Sequence, residues 1–411
     1  MPDSFEGNLQ INVTIEGQLV PIEGARVTIF DTGNPDQILE QTTTNSSGQT
    51  EFIPLPAPNP EYSLEITDEQ PYSEFNARVE APGYEPFYLS AMQILPGINS
   101  IQHIPLRPLA ANQPPDRTVI LPHTLFYEYP PKIPEPEIKP VEDDGSIVLS
   151  RVVTPEYVIV HDGPPADNSA NNYYVTYKDY IKNVASSEIY ATWPESTIYA
   201  NILAIMSFTM NRVFTEYYRG RGYDFTITSS TAYDQKWIKD RNIYENIDYI
   251  VDSIFNNYLS RPGIKQPILT SYCDGNRVTC SGLSQWGSKS LGDSGYSTID
   301  IIHYYYGDDM FINTSEAISG VPSSWPGQNL TLGSSGQKVQ QLQEQLNRIA
   351  RNYPLIPTVT VDGVFGPATA ESVRVFQQVF NLPQTGIVDF ATWYTISDIY
   401  VGVSRIAEPD T

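Results

Sequence analysis

Between residues 113 and 145 the chain carries Pro114, Pro115, Pro122, Pro130, Pro131, Pro134, Pro136 and Pro140. Proline lacks a backbone donor and fixes φ, so neither a regular helix nor a central strand runs through such a stretch. The chain must therefore fold as separate parts on either side. The composition predicts an extended, partly polyproline tether that proteases can reach. A cut near Asp116–Leu121 would release what precedes it. A shorter break, with Gly320, Pro322, Ser323, Ser324, Pro326 and Gly327, spans 319–330. The expected organisation is a domain over 1–112, a linker with an activation cleavage over 113–145, a domain over 146–318, a linker over 319–330 and a domain over 331–405. This is an ordinary domain count for 411 residues.

Residues 5–109 alternate with the strand period. Leu9, Ile11, Val13 and Ile15 form one run, Ala25, Val27 and Ile29 a second, and Tyr62, Leu64 and Ile66 a third. Glycines and the Asn45–Gln49 segment punctuate them as turns. Short strands of this kind predict an all-β sandwich. The segments Pro21–Val27, Thr44–Thr50 and Ala81–Tyr84 resemble the transthyretin-like, carboxypeptidase-regulatory family of small sandwiches. The resemblance implies a structural or inhibitory part.

The central part predicts strands at Ile147–Leu149 and Tyr157–Val160. A helix then places Tyr177, Ile181, Val184 and Glu188 on one stripe. Trp193-Pro194 ends it, and a second, apolar helix runs from Glu195 to about Tyr218. A further helix is expected over Tyr244–Leu259, a strand over Ile268–Tyr272, and a helix after the N-cap Ser297. A carboxylate on a core-facing stripe is costly when ionised, so the pKa of Glu188 should rise, which suits a general acid. The same position suits a structural Glu paired with Lys or Arg. In the stretch Cys273–Gly287, Gln285 could hydrogen-bond an acetamido group and Trp286 could lie on a sugar face; a turn around a buried Trp fits equally.

Tyr180–Glu188, Trp193-Pro194, Thr231–Gln235, Ser281–Gly287 and Tyr304–Gly307 together resemble the SpoIID/LytB family, lytic transglycosylases of bacterial cell-wall glycan. The resemblance implies an α+β catalytic domain with Glu188 as catalytic acid/base. It also implies substrate contacts from Tyr233, Gln235, Ser284, Gln285, Trp286 and Gly287. Two positions depart from the family pattern: Ile189 replaces a methionine after the catalytic Glu, and Thr279–Leu283 replaces His-Gly-x-Gly-Met.

The tail repeats helical spacing at Val339, Leu342, Leu346 and Ile349, starts a second helix at Gly366-Pro367 and caps a third with Asp389. With Val361–Gly366 and Thr385–Asp389, this resembles the three-helix peptidoglycan-binding domain. The expected fold class is multidomain: a transthyretin-like β-sandwich, a SpoIID-like α+β domain and a three-helix peptidoglycan-binding domain. That order resembles the clostridial spore cortex-lytic enzymes. It implies a zymogen activated by a subtilisin-like Csp protease, glycan strands of cortex peptidoglycan as substrate, and a place in the spore cortex or coat region after deposition from the mother cell.

The formal net charge of −24 disfavours nucleic acid and anionic membranes as partners. No apolar run reaches the length of a membrane span, and Met1–Glu6 carries no basic region of a secretory signal. No cofactor and no metal are expected. Cys273, Cys280 and His303 leave a rival open, a cysteine- or zinc-dependent hydrolase of stem peptides, although a disulfide or two idle thiols fits the cysteines better. A non-catalytic wall-binding protein is the third class.

Overall fold

The computed structural model describes residues 5–34, 37–109, 117–125, 130–139 and 151–404. The chain divides into two compact units, one of residues 1–57, 73–121 and 320–411, the other of residues 58–72 and 122–319.

The first unit contains two packed β-sheets. In one, the strand Phe5–Ile15 lies between Asn99–Leu106, parallel to it, and Ile53–Ala57, antiparallel. In the other, the order is Ile38–Thr43, Arg26–Asp31, Ser73–Glu80, Phe87–Ile94, Arg117–Ile120. Leu9, Ile11, Val13, Ala25, Val27 and Ile29 are fully buried, as their alternation requires. Arg117–Ile120 was expected in a cleavable tether. It is instead an edge strand, registered parallel to Phe87–Ser90. Ile120 is 73% exposed, so the last apolar residue of this strand gives no sign of its docking.

Tyr62, Leu64 and Ile66 do not form a strand. Glu61–Leu64 is a single helical turn, because Pro60 already holds a helical φ of −52° and the Asn59 side chain accepts the Glu61 amide at 3.1 Å. The residue buried there is Ser63.

The same unit holds the helices Gln337–Ala350, Pro367–Val379 and Phe390–Ser404 around Leu342, Leu346, Ile349, Val373, Phe376, Trp393 and Ile396. The first helix starts at Gln337 rather than near Leu332, behind Gly336 at φ 117°. Two buried glutamines hold two turns in the same way. Gln343 Oε1 accepts the Gly363 amide at 2.8 Å while Nε2 donates to the Val364 carbonyl at 3.0 Å. Gln377 Oε1 accepts the Gly386 amide at 2.8 Å while Nε2 donates to the Ile387 carbonyl at 2.8 Å.

In the second unit, Tyr157–His161 lies between Asn172–Thr176, antiparallel, and Ile227–Thr228, parallel. The helix Tyr177–Glu188 follows, capped by the Thr176 side chain. It ends at Glu188 because Ile189 is extended, well before Pro194, which serves as N-cap of the next helix. That helix, Glu195–Phe214, is buried nearly all round, as its apolar surface demands. Glu245–Ile254 is shorter than expected, since Asn257–Ser260 pairs as a strand with Phe311–Thr314. Gln285–Asp293 and Thr298–Tyr306 complete the framework, the latter with a Ser297–Asp300 capping box. Of the expected strand at 268–272, only Tyr272 is in a strand, which continues to Cys273 and pairs with Leu283-Ser284. Ile147–Leu149 lies outside the described residues.

Residues 122–125 and 130–139, expected in the free linker, belong to this second unit. The Thr124 carbonyl accepts the Tyr72 hydroxyl at 3.1 Å, and the Leu125 carbonyl accepts the Tyr190 hydroxyl at 3.1 Å. A proline-rich backbone still offers carbonyls, and here they are used as acceptors.

Candidate active site

Glu188 is the last residue of its helix, so its carboxyl sits at the negative end of the helix dipole. Its Oε1 accepts the backbone N–H of Lys236 at 2.7 Å. Oε2 is buried and makes no hydrogen bond of ordinary geometry among the described residues. Burial raises its pKa above 4.5, opposed by the Lys132 ammonium, the Lys236 amide and the nearby Tyr272 hydroxyl. The pKa moves in the expected direction, while the nearby Lys132 ammonium keeps the alternative of a structural Glu paired with a Lys open.

The loop that supplies the Lys236 amide is pinned to the Glu188 helix. Asn183 Nδ2 donates to the Ile238 carbonyl at 2.7 Å, and Asn183 Oδ1 accepts the Ile238 amide at 2.9 Å. Asp234 anchors the other end of this loop. Fully buried, it accepts Arg212 Nε at 2.7 Å, the Tyr218 hydroxyl at 2.7 Å, and the amide and hydroxyl of Thr228 at 2.8 and 2.7 Å. Sequence reasoning missed Asp234, Arg212 and Asn183 as supports. The available signals were positional: Asn183 lies within Tyr180–Glu188, and Asp234 adjoins Gln235 within Thr231–Gln235.

Gln235, expected to contact substrate, is fully buried and internally committed. Its Oε1 accepts the hydroxyls of Tyr180 at 3.0 Å and Thr209 at 2.8 Å, and its Nε2 donates to the Ile205 carbonyl and the Tyr272 hydroxyl, each at 3.0 Å. With no polar atom left over, it is a strut beneath Tyr272 rather than a ligand group. Tyr233 is 37% exposed, on the loop before Asp234.

Ser284 caps the Gln285–Asp293 helix, its Oγ accepting the Gly287 amide at 2.9 Å. Gln285 is buried at the start of that helix. Gly287 lies so close to Tyr305 that an added Cβ would come within 2.2 Å of the hydroxyl. Trp286 joins Trp193 and Tyr190 in an aromatic cluster, with ring centroids 5.0 and 5.5 Å from its own. The Trp193 indole donates to the Ser63 carbonyl at 2.9 Å, and the Thr192 hydroxyl donates to Ser63 Oγ at 2.9 Å, so the 58–72 segment covers this edge.

Cys273 and Cys280 are joined to each other, so neither offers a thiolate in this state. His303 Nε2 lies 2.9 Å from the Met310 carbonyl. The cysteine branch of the hydrolase alternative is thereby corrected: the sulfurs close a loop instead of serving a reaction. Among the described residues, no group of three or more His, Cys, Asp or Glu converges as a metal site would require, and no helix is long and apolar enough to cross a membrane.

This is a multidomain protein of β-sheets and helices whose C-terminal helical region carries a peptidoglycan-binding domain: residues 335–396 match the family of that description. The match supports peptidoglycan as a partner. The chain is 40% identical over 73 residues to the zinc D-Ala-D-Ala carboxypeptidase of Streptomyces albus G, spanning 18% of this chain and 27% of that protein. It is 32% identical to the SleB N-terminal domain, over 19% of this chain and 99% of that one, with a TM-score of 0.17. It is 14% identical to the Bacillus anthracis TIE protein, over 26% of this chain and 18% of that one, with a TM-score of 0.19.

Proposed function

We propose that the chain is a spore cortex-lytic enzyme of the SleC kind, its central unit a SpoIID-like lytic transglycosylase and its N-terminal sheets a transthyretin-like sandwich. One observation carries the chemistry: a single carboxyl, Glu188, has one oxygen fixed by a backbone N–H and the other buried without a hydrogen bond of ordinary geometry among the described residues. Such a group holds a proton at neutral pH more readily than a solvated carboxylate. The protonated acid gives its proton to the glycosidic oxygen between N-acetylmuramic acid and N-acetylglucosamine as the C1–O bond breaks. The muramyl 6-hydroxyl then bonds to C1, and its proton returns to Glu188, leaving a 1,6-anhydro end. One carboxyl suffices because it acts in turn as acid and base, whereas a water-using glycosidase generally needs two. The peptidoglycan-binding domain supports delivery to the wall. Activation by a subtilisin-like Csp protease and a place in the spore cortex or coat region complete the proposal.

The test is mass spectrometry of fragments released from purified cortex peptidoglycan by the full chain, before and after activating proteolysis, beside Glu188→Gln. Anhydro-muropeptides should appear with the proteolysed wild type and fall by at least ~10²-fold in the variant. Undiminished release by Glu188→Gln, or fragments with reducing ends only, would remove the proposal.

A further inference from the structure

Residues 130–139 cross the neighbourhood of Glu188 and are fastened to segments that approach it from two directions. The Ile133 amide donates to the Ala232 carbonyl at 2.8 Å, two residues before Asp234. The Leu269 amide donates to the Glu137 carbonyl at 2.8 Å, three residues before Tyr272. Gln266 brackets Lys139, accepting its amide and donating to its carbonyl, each at 3.0 Å. Immediately before the first of these anchors, Lys132 extends inward. Its Nζ is buried, makes no hydrogen bond among the described residues, and stands 3.8 Å from the Tyr272 ring centroid and 4.5 Å from that of Phe208.

The fastening is polar, not hydrophobic. Arg212 grips Glu135 through Nη1 at 3.0 Å and Nη2 at 2.6 Å, and Arg261 grips Glu137 through Nε at 2.5 Å and Nη2 at 2.9 Å. Meanwhile Ile133 is 49% exposed and Ile138 37% exposed. A segment that turns its isoleucines to water and its glutamates to arginines is attached to the unit rather than part of its core. Each arginine also has a second carboxylate, Asp234 for Arg212 and Asp309 for Arg261. If the segment left, neither guanidinium would be stranded without a counter-ion.

We propose that residues 130–139 are an internal occupant of the glycan site at Glu188, with the Lys132 side chain laid against the faces of Tyr272 and Phe208. The Lys132 stem covers the faces of Tyr272 and Phe208, and such faces accept the apolar side of a sugar. Substrate and segment then exclude one another, and the chain takes up glycan when the segment leaves. This inference rests on the reading of Glu188 as the acid of the reaction.

The test uses the full chain with Glu135→Lys and Glu137→Lys together, each reversing the charge that faces an arginine. Hydrogen exchange at residues 130–139 reports release, titration with a soluble peptidoglycan tetrasaccharide reports access, and fragments from purified cortex report turnover. Loss of two charge-assisted pairs should raise exchange, tetrasaccharide affinity and fragment release by at least about tenfold each. Should the double variant fold poorly, Glu137→Gln loosens the more exposed fastening with the same expected direction. Faster exchange with unchanged or weaker affinity overturns the inference, because the segment would then belong to the working site. Higher affinity without fragments from either protein, even after activating proteolysis, leaves the inference standing and removes the transglycosylase reading. Equal fragment release from both proteins does the reverse.

Discussion

Replacing Lys132 with methionine isolates the cost of a single buried charge. Burial pushes the lysine down from 10.5 to about 8, even after the opposing attraction of Glu188, Asp234 and Glu135. Holding it protonated at pH 7 therefore costs roughly 3 kcal/mol relative to the solvated side chain. The sign follows from proton counts. Between about 8 and 10.5 the released segment binds a proton that the docked segment does not, so docking strengthens as pH rises through that window and is weakest below it. Methionine keeps an unbranched stem to lie against Phe208 and Tyr272 and carries no ammonium. Lys132→Met should dock the segment more tightly at pH 7, by up to ~10²-fold in hydrogen-exchange protection at residues 130–139 of the full chain. The advantage over wild type should shrink toward pH 10.5. Equal or lower protection at pH 7, or an advantage that does not change with pH, would refute the reasoning, since the ammonium would then be solvated or fully compensated.

Asp234→Asn should destabilise the central unit by about 3–5 kcal/mol, measured by urea unfolding, because it strips the buried Arg212 of a partner; a loss below about 1 kcal/mol would show that Glu135 alone satisfies the guanidinium. The pH profile of fragment release by the activated enzyme should keep its active form above the ordinary carboxyl range and fall as pH rises through the elevated pKa of Glu188. A falling limb at the ordinary value of 4.5 would mean that this carboxyl is solvated during turnover.

Much of the frame was legible because it obeys a period. The stripe Tyr177, Ile181, Val184 leads to Glu188 by helical spacing, and all three apolar members are buried. Ser297 with Asp300, and Gly366 with Pro367, are local signals that act where they stand. The supports of the site were not legible, because their partners are remote in sequence. Glu135 meets Arg212 across 77 residues and Glu137 meets Arg261 across 124, and neither pairing leaves a periodic trace. Prolines at 130, 131, 134 and 136 predict extended backbone correctly, but extension says nothing about whether a strand lies free or docked. Gln235 was misassigned for a related reason. A polar residue beside an expected site looks like a ligand group until its four internal partners are seen.

The excursion of residues 58–72 bears on what any cut can achieve. The backbone leaves the first unit at Ala57, contributes Ser63 and Tyr72 to the second, and re-enters the first at Ser73. Hydrolysis of one peptide bond between the units ends covalent continuity there, yet these fifteen residues keep their own grip on Trp193 and Thr124. In the proposed activation, scission and release would be two events in series, and the second would set its own equilibrium with the concentration of the nicked pieces.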